Sequence, residues 1–101
     1  MTVLVQMRMD GDTEIFAKSL TERADEYRAI AEQAKAAGAV HHRFGIGDGY
    51  ALVSDEWVTE QAFHDFLTRP DLQQFISEVG GDVTQPPDVL ITEAIESPDQ
   101  F

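Results

Sequence analysis

Apolar and polar residues alternate at the start of the chain, and this pattern predicts a β-strand over residues 2–9. Its apolar side is formed by Val3, Val5, Met7 and Met9. Asp10-Gly11-Asp12 breaks the alternation, and either Asp12 or Thr13 is suited to cap a following helix. We therefore expect the chain to turn directly from a strand into a helix.

A spacing of three or four residues between apolar positions predicts one long helix over residues 13–37. The apolar stripe comprises Phe16, Leu20, Ala24, Tyr27, Ala31 and Ala34. Gly38 is well placed to end this helix, because glycine readily adopts the left-handed conformation of a helix terminus.

The second half of the chain repeats this plan with different residues. Residues 39–46 and 50–57 are predicted strands, joined by the turn signal Gly47-Asp48-Gly49. Thr59 is expected to cap a helix that Arg69-Pro70 interrupts, so a further short helix begins at Pro70. Gly80-Gly81 ends that helix, and residues 89–95 form the last predicted strand.

The order βαββαβ predicts an α+β, ferredoxin-like fold, with a four-stranded antiparallel sheet and helices on one face. We expect residues 1–101 to form a single domain. The third and fourth strands have apolar residues on both sides, which is typical of a sheet covered on both faces. Because the helices cover one face, we expect a second copy of the chain to cover the other, giving a homodimeric α/β barrel.

Charge and composition narrow the possible partners. Seven basic residues stand against nineteen acidic ones, for a net charge of −12, which argues against binding nucleic acid or anionic membranes. The acidic residues either form solvated faces or mark a basic partner or a cationic ligand. The absence of cysteine excludes disulfides and a thiolate metal site. Residues 1–5 do not have the pattern of a signal peptide, so a cytoplasmic location is expected.

One segment carries a family resemblance. It runs Asp55-Glu56-Trp57-Val58-Thr59-Glu60-Gln61-Ala62-Phe63 and is followed by Phe66-Leu67 and Leu72-Gln73-Gln74-Phe75. With this strand-ending tryptophan and the aromatic spacing of the next helix, the chain resembles the dimeric ferredoxin-like α/β-barrel superfamily, in its antibiotic-biosynthesis-monooxygenase-like group. The resemblance implies a monooxygenase that needs no cofactor and acts on a small aromatic or quinol-type substrate.

The haem-degrading branch of that superfamily is a poorer match. The resemblance would require an asparagine late in the first strand, a tryptophan in the second helical region and a histidine one helix later. The nearest positions hold Met7, Phe66 and Ile76, and the chain contains no asparagine. We therefore expect no haem degradation.

Two histidines are candidate catalytic residues. His42 shares a strand face with apolar neighbours, where a histidine acts as a general base, as a hydrogen-bond donor to a ligand, or as a plain core or interface residue. His64, on the second helical region, is the next candidate. The adjacent His41 points to the opposite face from His42, so the pair cannot chelate one ion, and we expect no metal site.

A set of apolar and aromatic residues predicts either a ligand pocket between helices and sheet or simply a packed core. The candidate ligand-binding residues are Met7, Phe44, Tyr50, Trp57, Phe63 and Phe66, with Met9 and Phe75 as further candidates. Tyr50 and Trp57 also carry groups able to donate a hydrogen bond to a substrate. Two functions remain open: the monooxygenase, or a non-catalytic dimer that binds a small hydrophobic molecule or another protein.

Overall fold

Four antiparallel strands form the single sheet of the structure, a computed structural model that describes residues 1–101. The strands are β1 (Val3–Asp10), β2 (Ala39–Ile46), β3 (Tyr50–Trp57) and β4 (Asp88–Glu93). Their order across the sheet is β2-β3-β1-β4, and each neighbouring pair is antiparallel. With its crossing helices this is the predicted ferredoxin-like arrangement.

Four helices lie over one face of the sheet: α1 (Thr13–Glu22), α2 (Ala24–Ala37), α3 (Glu60–Leu67) and α4 (Pro70–Glu78). The predicted caps are confirmed. The Asp12 carboxylate accepts hydrogen bonds from the N–H groups of Glu14 and Ile15, and Thr59 Oγ1 accepts one from Ala62. None of the helices has the length and apolar character needed to cross a membrane.

The prediction of one continuous helix over residues 13–37 is wrong, because the helix breaks at Arg23. Arg23 has φ −119° and ψ 30°, outside the helical range, and its carbonyl starts α2 by accepting from Glu26 and Tyr27. The Arg23 guanidinium binds Glu26 at 2.6 Å and Glu78 of α4 at 2.9 Å. The apolar stripe continues across the break, so periodicity alone gives no sign of it.

The core lies between the helices and the sheet. Its centre consists of Val5, Met7, Val53, Trp57, Phe63 and Phe66. Val5 is completely buried, and its neighbours in the sheet contribute alternate residues to the same side, as strand geometry requires. The helix-facing side of the sheet is therefore the side on which any internal site must lie.

A β-bulge at Val40 changes which side β2 presents at its start. Ala39 pairs with Trp57 and His41 pairs with Glu56, so Val40 is the extra residue. Strict alternation would place Ala39 on the helix-free side together with His41. The bulge instead places Ala39 beside Trp57, on the side of the core.

The opposite face of the sheet carries no helix and is mixed in character. Leu4 and Leu90 are 41% and 65% exposed, and the Arg8 guanidinium lies 4.0 Å from the centre of the Tyr50 ring. Between them, Gln6 Nε2 donates to Ser54 Oγ at 2.8 Å. In the single chain this face remains open to solvent.

Two glycines with positive φ give a matched test of the fold. Gly38 has φ 119°, and a Cβ there would lie 2.5 Å from the Val58 side chain, whereas Gly49 has φ 79° and open space around it. We expect Gly49→Ala to lower the free energy of unfolding by about 1–2 kcal/mol, the cost of a left-handed alanine. Gly38→Ala should cost more, because Val58 must also move. Urea denaturation of both variants measures the difference, and equal losses would contradict the close packing at Gly38.

Candidate functional site

A cavity of about 220 Å³ lies between the helical layer and the sheet. Its walls are predominantly apolar. The sheet contributes Met7, Phe44, Val53 and Trp57, and the helices contribute Phe16, Tyr27, Phe63, Phe66 and Phe75. Typical small-molecule pockets measure ~300–1,000 Å³, so this one is suited to a compact ligand.

A buried carboxylate lies in this apolar wall. Asp55 is 8% exposed, and each of its oxygens has a partner. Oδ1 lies 2.6 Å from Nδ1 of His42, and Oδ2 accepts a hydrogen bond from Nε1 of Trp57 at 3.0 Å. Since a buried charge is costly unless it is hydrogen-bonded, these two N–H groups are what make Asp55 tolerable here.

The carboxylate determines the tautomer of His42. An ionised carboxylate only accepts hydrogen bonds, so Nδ1 must carry the proton, and the neutral ring is left with Nε2 as an acceptor. The ring packs edge-on against Phe44, with 4.5 Å between centroids, and 45% of the side chain remains exposed. His42 thus lines the cavity and still contacts solvent, as a group exchanging protons requires.

A second polar pair lies on the helical side of the cavity. Ser19 Oγ donates to the carbonyl of Phe16 at 2.6 Å, so it must accept the hydrogen bond from the Tyr27 hydroxyl 2.7 Å away. Burial raises the pKa of Tyr27, outweighing the hydrogen bond with Ser19 that lowers it. Tyr27 therefore remains a neutral phenol whose proton is already engaged.

Most of the sequence-predicted site residues come together in the structure. Met7, Phe44, Trp57, Phe63 and Phe66 all line the cavity, as do Met9, Phe75 and His42. The roles predicted for them remain predictions.

Two of the predicted residues lie elsewhere. Tyr50 is on the helix-free face, because it pairs with Asp10 at the end of β1 and alternates with Ala51. His64 lies outside the cavity on α3, with Nε2 3.4 Å from the Glu60 carboxylate. The Trp57 N–H donates to Asp55 and is not free to donate to a substrate.

Asp55 is the site residue that sequence reasoning missed. The signal was present in the hairpin: counting back from the turn pairs Ile46 with Ala51, Phe44 with Val53, and His42 with Asp55.

No His, Cys, Asp or Glu side chains converge in a group of three or more that could hold a metal ion. The arrangement that the structure does provide is an apolar cavity with one oriented imidazole in its wall. Such a site can take a proton from a bound molecule and hold the resulting imidazolium beside a carboxylate.

Solved structures of other proteins share this fold over almost their whole length. A monooxygenase of Streptomyces coelicolor, from the gene ActVA-Orf6 and solved with nanaomycin D, is 15% identical to this chain. The match covers 98% of this chain and 92% of the monooxygenase, with a TM-score of 0.65. SnoaB, a cofactor-independent oxygenase of Streptomyces nogalater, is 13% identical to this chain. The match covers 98% of this chain and 97% of SnoaB, with a TM-score of 0.54.

A third similar structure is Rv0793 of Mycobacterium tuberculosis, which is 14% identical to this chain. The match covers 98% of this chain and 100% of Rv0793, with a TM-score of 0.60. Neither a protein-family model nor a curated protein matches the sequence. At these identities the structural likeness establishes the fold, which agrees with the fold predicted from the sequence.

The pKa of Tyr27 gives a test of the burial seen at the cavity. A raised pKa in the folded protein contributes stability that is fully present below the ordinary tyrosine value of 10.0 and is lost as pH rises through the folded value. We expect the stability of the protein to fall with pH above that point more steeply than the stability of Tyr27→Phe. Urea denaturation across this pH range measures both slopes, and equal slopes would contradict the burial of the phenol.

Proposed function

We propose that the protein is a cofactor-independent monooxygenase that oxidises a small aromatic or quinol-type substrate in the cavity, with His42 as the general base. The observation that supports this most directly is the Asp55-oriented imidazole in a predominantly apolar wall. The likeness to two structures described as a monooxygenase and a cofactor-independent oxygenase supports the reaction class.

The first step is removal of a proton from the substrate. Nε2 of His42 takes a proton from a phenol or from the hydroxyl of the enol tautomer of an anthrone, leaving an electron-rich anion in the cavity. The imidazolium that forms is stabilised by Asp55, 2.6 Å from its other nitrogen. Apolar walls such as Phe63 and Phe66 keep water from solvating the anion and so keep it reactive.

The reaction of this anion with O2 then needs no external reductant. For the anthrone, the anion gives one electron to O2, and the two radicals combine at the former methylene carbon to a peroxide that takes a proton back from His42. The peroxide loses water, so one oxygen atom stays as a ketone carbonyl and the other leaves as H2O. All the electrons that reduce oxygen come from the substrate.

Removal of the base should abolish most of the activity. With anthrone as substrate, we expect His42→Ala to lower the rate by about 100-fold or more, since a positioned general base contributes about that much. His64→Ala, which changes the histidine outside the cavity, should stay within about twofold of the wild-type rate. Oxygen uptake and incorporation of isotopically labelled O2 into the product measure both variants.

Three outcomes would contradict the proposal. If the wild-type protein binds anthrone without consuming oxygen, the cavity serves binding alone, which is the non-catalytic alternative. If the His42→Ala variant is folded, as judged by circular dichroism, and keeps its activity, the base is another group. If the His64→Ala variant loses activity while folded, the base assignment is also wrong.

We further propose that two copies associate through the helix-free face of the sheet. Leu4 and Leu90 lie exposed there, near the half-buried Leu52, so the face has apolar residues that the helices do not cover. A chain of 101 residues buries a limited share of its surface alone and gains stability when such a face is covered.

A charge introduced on this face should separate the copies. We expect the protein to have twice its chain mass of 11.2 kDa in solution and Leu90→Glu to have the mass of one chain, because a carboxylate would be buried without a partner. Val83→Glu is the control, since Val83 is also exposed but lies outside the sheet. Analytical ultracentrifugation measures all three, and a monomeric wild-type protein would refute the association.

A further inference from the structure

The hydrogen-bonding groups in the cavity wall are unequally available to a ligand. The Trp57 N–H donates to Asp55, and the Tyr27 hydroxyl donates to Ser19, so both of these donors are occupied within the protein. His42 makes no hydrogen bond through Nε2, and its Nδ1–H is engaged with Asp55. The uncommitted atom of this network is therefore an acceptor.

The other polar residues around the cavity do not provide a comparable hydrogen-bonding group for a ligand. They are Asp10, Asp12, Thr13, Lys35 and His41, all exposed except the half-buried Thr13. Lys35, the one permanently charged cation among them, pairs with Glu32 at 3.1 Å. None of them is held by a buried side chain in the way that Asp55 holds His42, so they can turn to water and contribute less to selecting a ligand.

We propose that the cavity selects its ligand by a hydroxyl donor: it binds a phenol, enol or hydroquinone and discriminates against the matching ether or quinone, with Asp55 as the positioning residue that imposes this choice. A ligand hydroxyl donates to Nε2, whereas an ether or carbonyl oxygen would place an acceptor against an acceptor. Two acceptors in contact with no proton between them lower the affinity of such a ligand relative to the hydroxyl compound.

The preference for a hydroxyl donor also favours release of the product of the proposed reaction. This consequence rests on the proposed function, whereas the selectivity itself rests on the hydrogen bonds alone. Where oxidation turns a donating hydroxyl into an accepting carbonyl, the product loses its bond to His42 and is released more easily than the substrate. Product inhibition by a quinone should accordingly be weak.

Asp55 allows a sharp test, because its amide analogue reverses the network. In Asp55→Asn, the Trp57 N–H still needs an acceptor and takes the amide oxygen, which turns the amide NH2 toward His42. Nδ1 must then accept, and the proton moves to Nε2. His42 would present a donor to the cavity, with little change in shape.

The experiment compares binding of α-naphthol, its methyl ether and naphthoquinone by calorimetry under argon, where no turnover occurs. We expect the wild-type protein to bind naphthol about tenfold more tightly than the ether or the quinone, equal to about 1.4 kcal/mol. In Asp55→Asn, the ratio of naphthoquinone to naphthol affinity should rise by at least about tenfold. Asp65→Asn is the matched control, because it makes the same charge change on the exposed side of α3.

Nitrogen NMR of the imidazoles adds a readout that a merely structural role of Asp55 would not give. We expect the Nδ1–H tautomer of His42 in the wild-type protein and the Nε2–H tautomer in Asp55→Asn. Three results for the wild-type protein would overturn the proposal, even if the variant failed to fold. They are equal affinities for the three ligands, no binding of any of them, or an Nε2–H tautomer of His42. Oxygen uptake with anthrone is measured separately, so the two proposals can fail independently. If the protein selects the hydroxyl ligand but does not consume oxygen, only the monooxygenase function is refuted. If it consumes oxygen but binds the three ligands equally, only the hydroxyl selectivity is refuted.

Discussion

A single buried carboxylate constrains the arrangement of the whole site. Asp55 lies on the core side of β3, where nearly everything around it is apolar, and it is 8% exposed. Its charge is acceptable only because Trp57 and His42 each direct an N–H group at it. That requirement orients the indole, determines which imidazole nitrogen carries the proton, and ties the end of β3 to the middle of β2.

The β2–β3 register is what brings these groups together. The tight turn after Ile46 starts the pairing, and alternation carries it back to His42 opposite Asp55. Beyond this point the bulge at Val40 restores Ala39 to the core side, next to Trp57. A small residue there leaves space beside the indole, so the bulge preserves the cavity at the end of the sheet.

The helical layer over the cavity is held by a different kind of contact. Arg23, at the break between α1 and α2, binds Glu78 of α4 and lies 4.6 Å above the ring of Phe75. Phe75 in turn packs edge-on against Tyr27, with 5.0 Å between their centroids. The hydrogen bond from Arg23 also lowers the pKa of Glu26, as expected for a carboxylate held against a guanidinium. These contacts join α1, α2 and α4 over the aromatic side of the cavity.

The sequence by itself determined the order of elements and most of the cavity wall. Periodicity predicted the strands, the helical regions and the core-facing residues such as Met7, Phe63 and Phe66, since burial on one face imposes a repeat that is visible along the chain. Only the tertiary structure decided the break at Arg23 and the bulge at Val40, and it established the pairing of His42 with Asp55 that counting back from the hairpin turn indicates. The break lies where Arg23 contacts Glu78, far along the chain, and the bulge and the pair depend on how β2 and β3 are aligned, so no periodic pattern within one element reveals them.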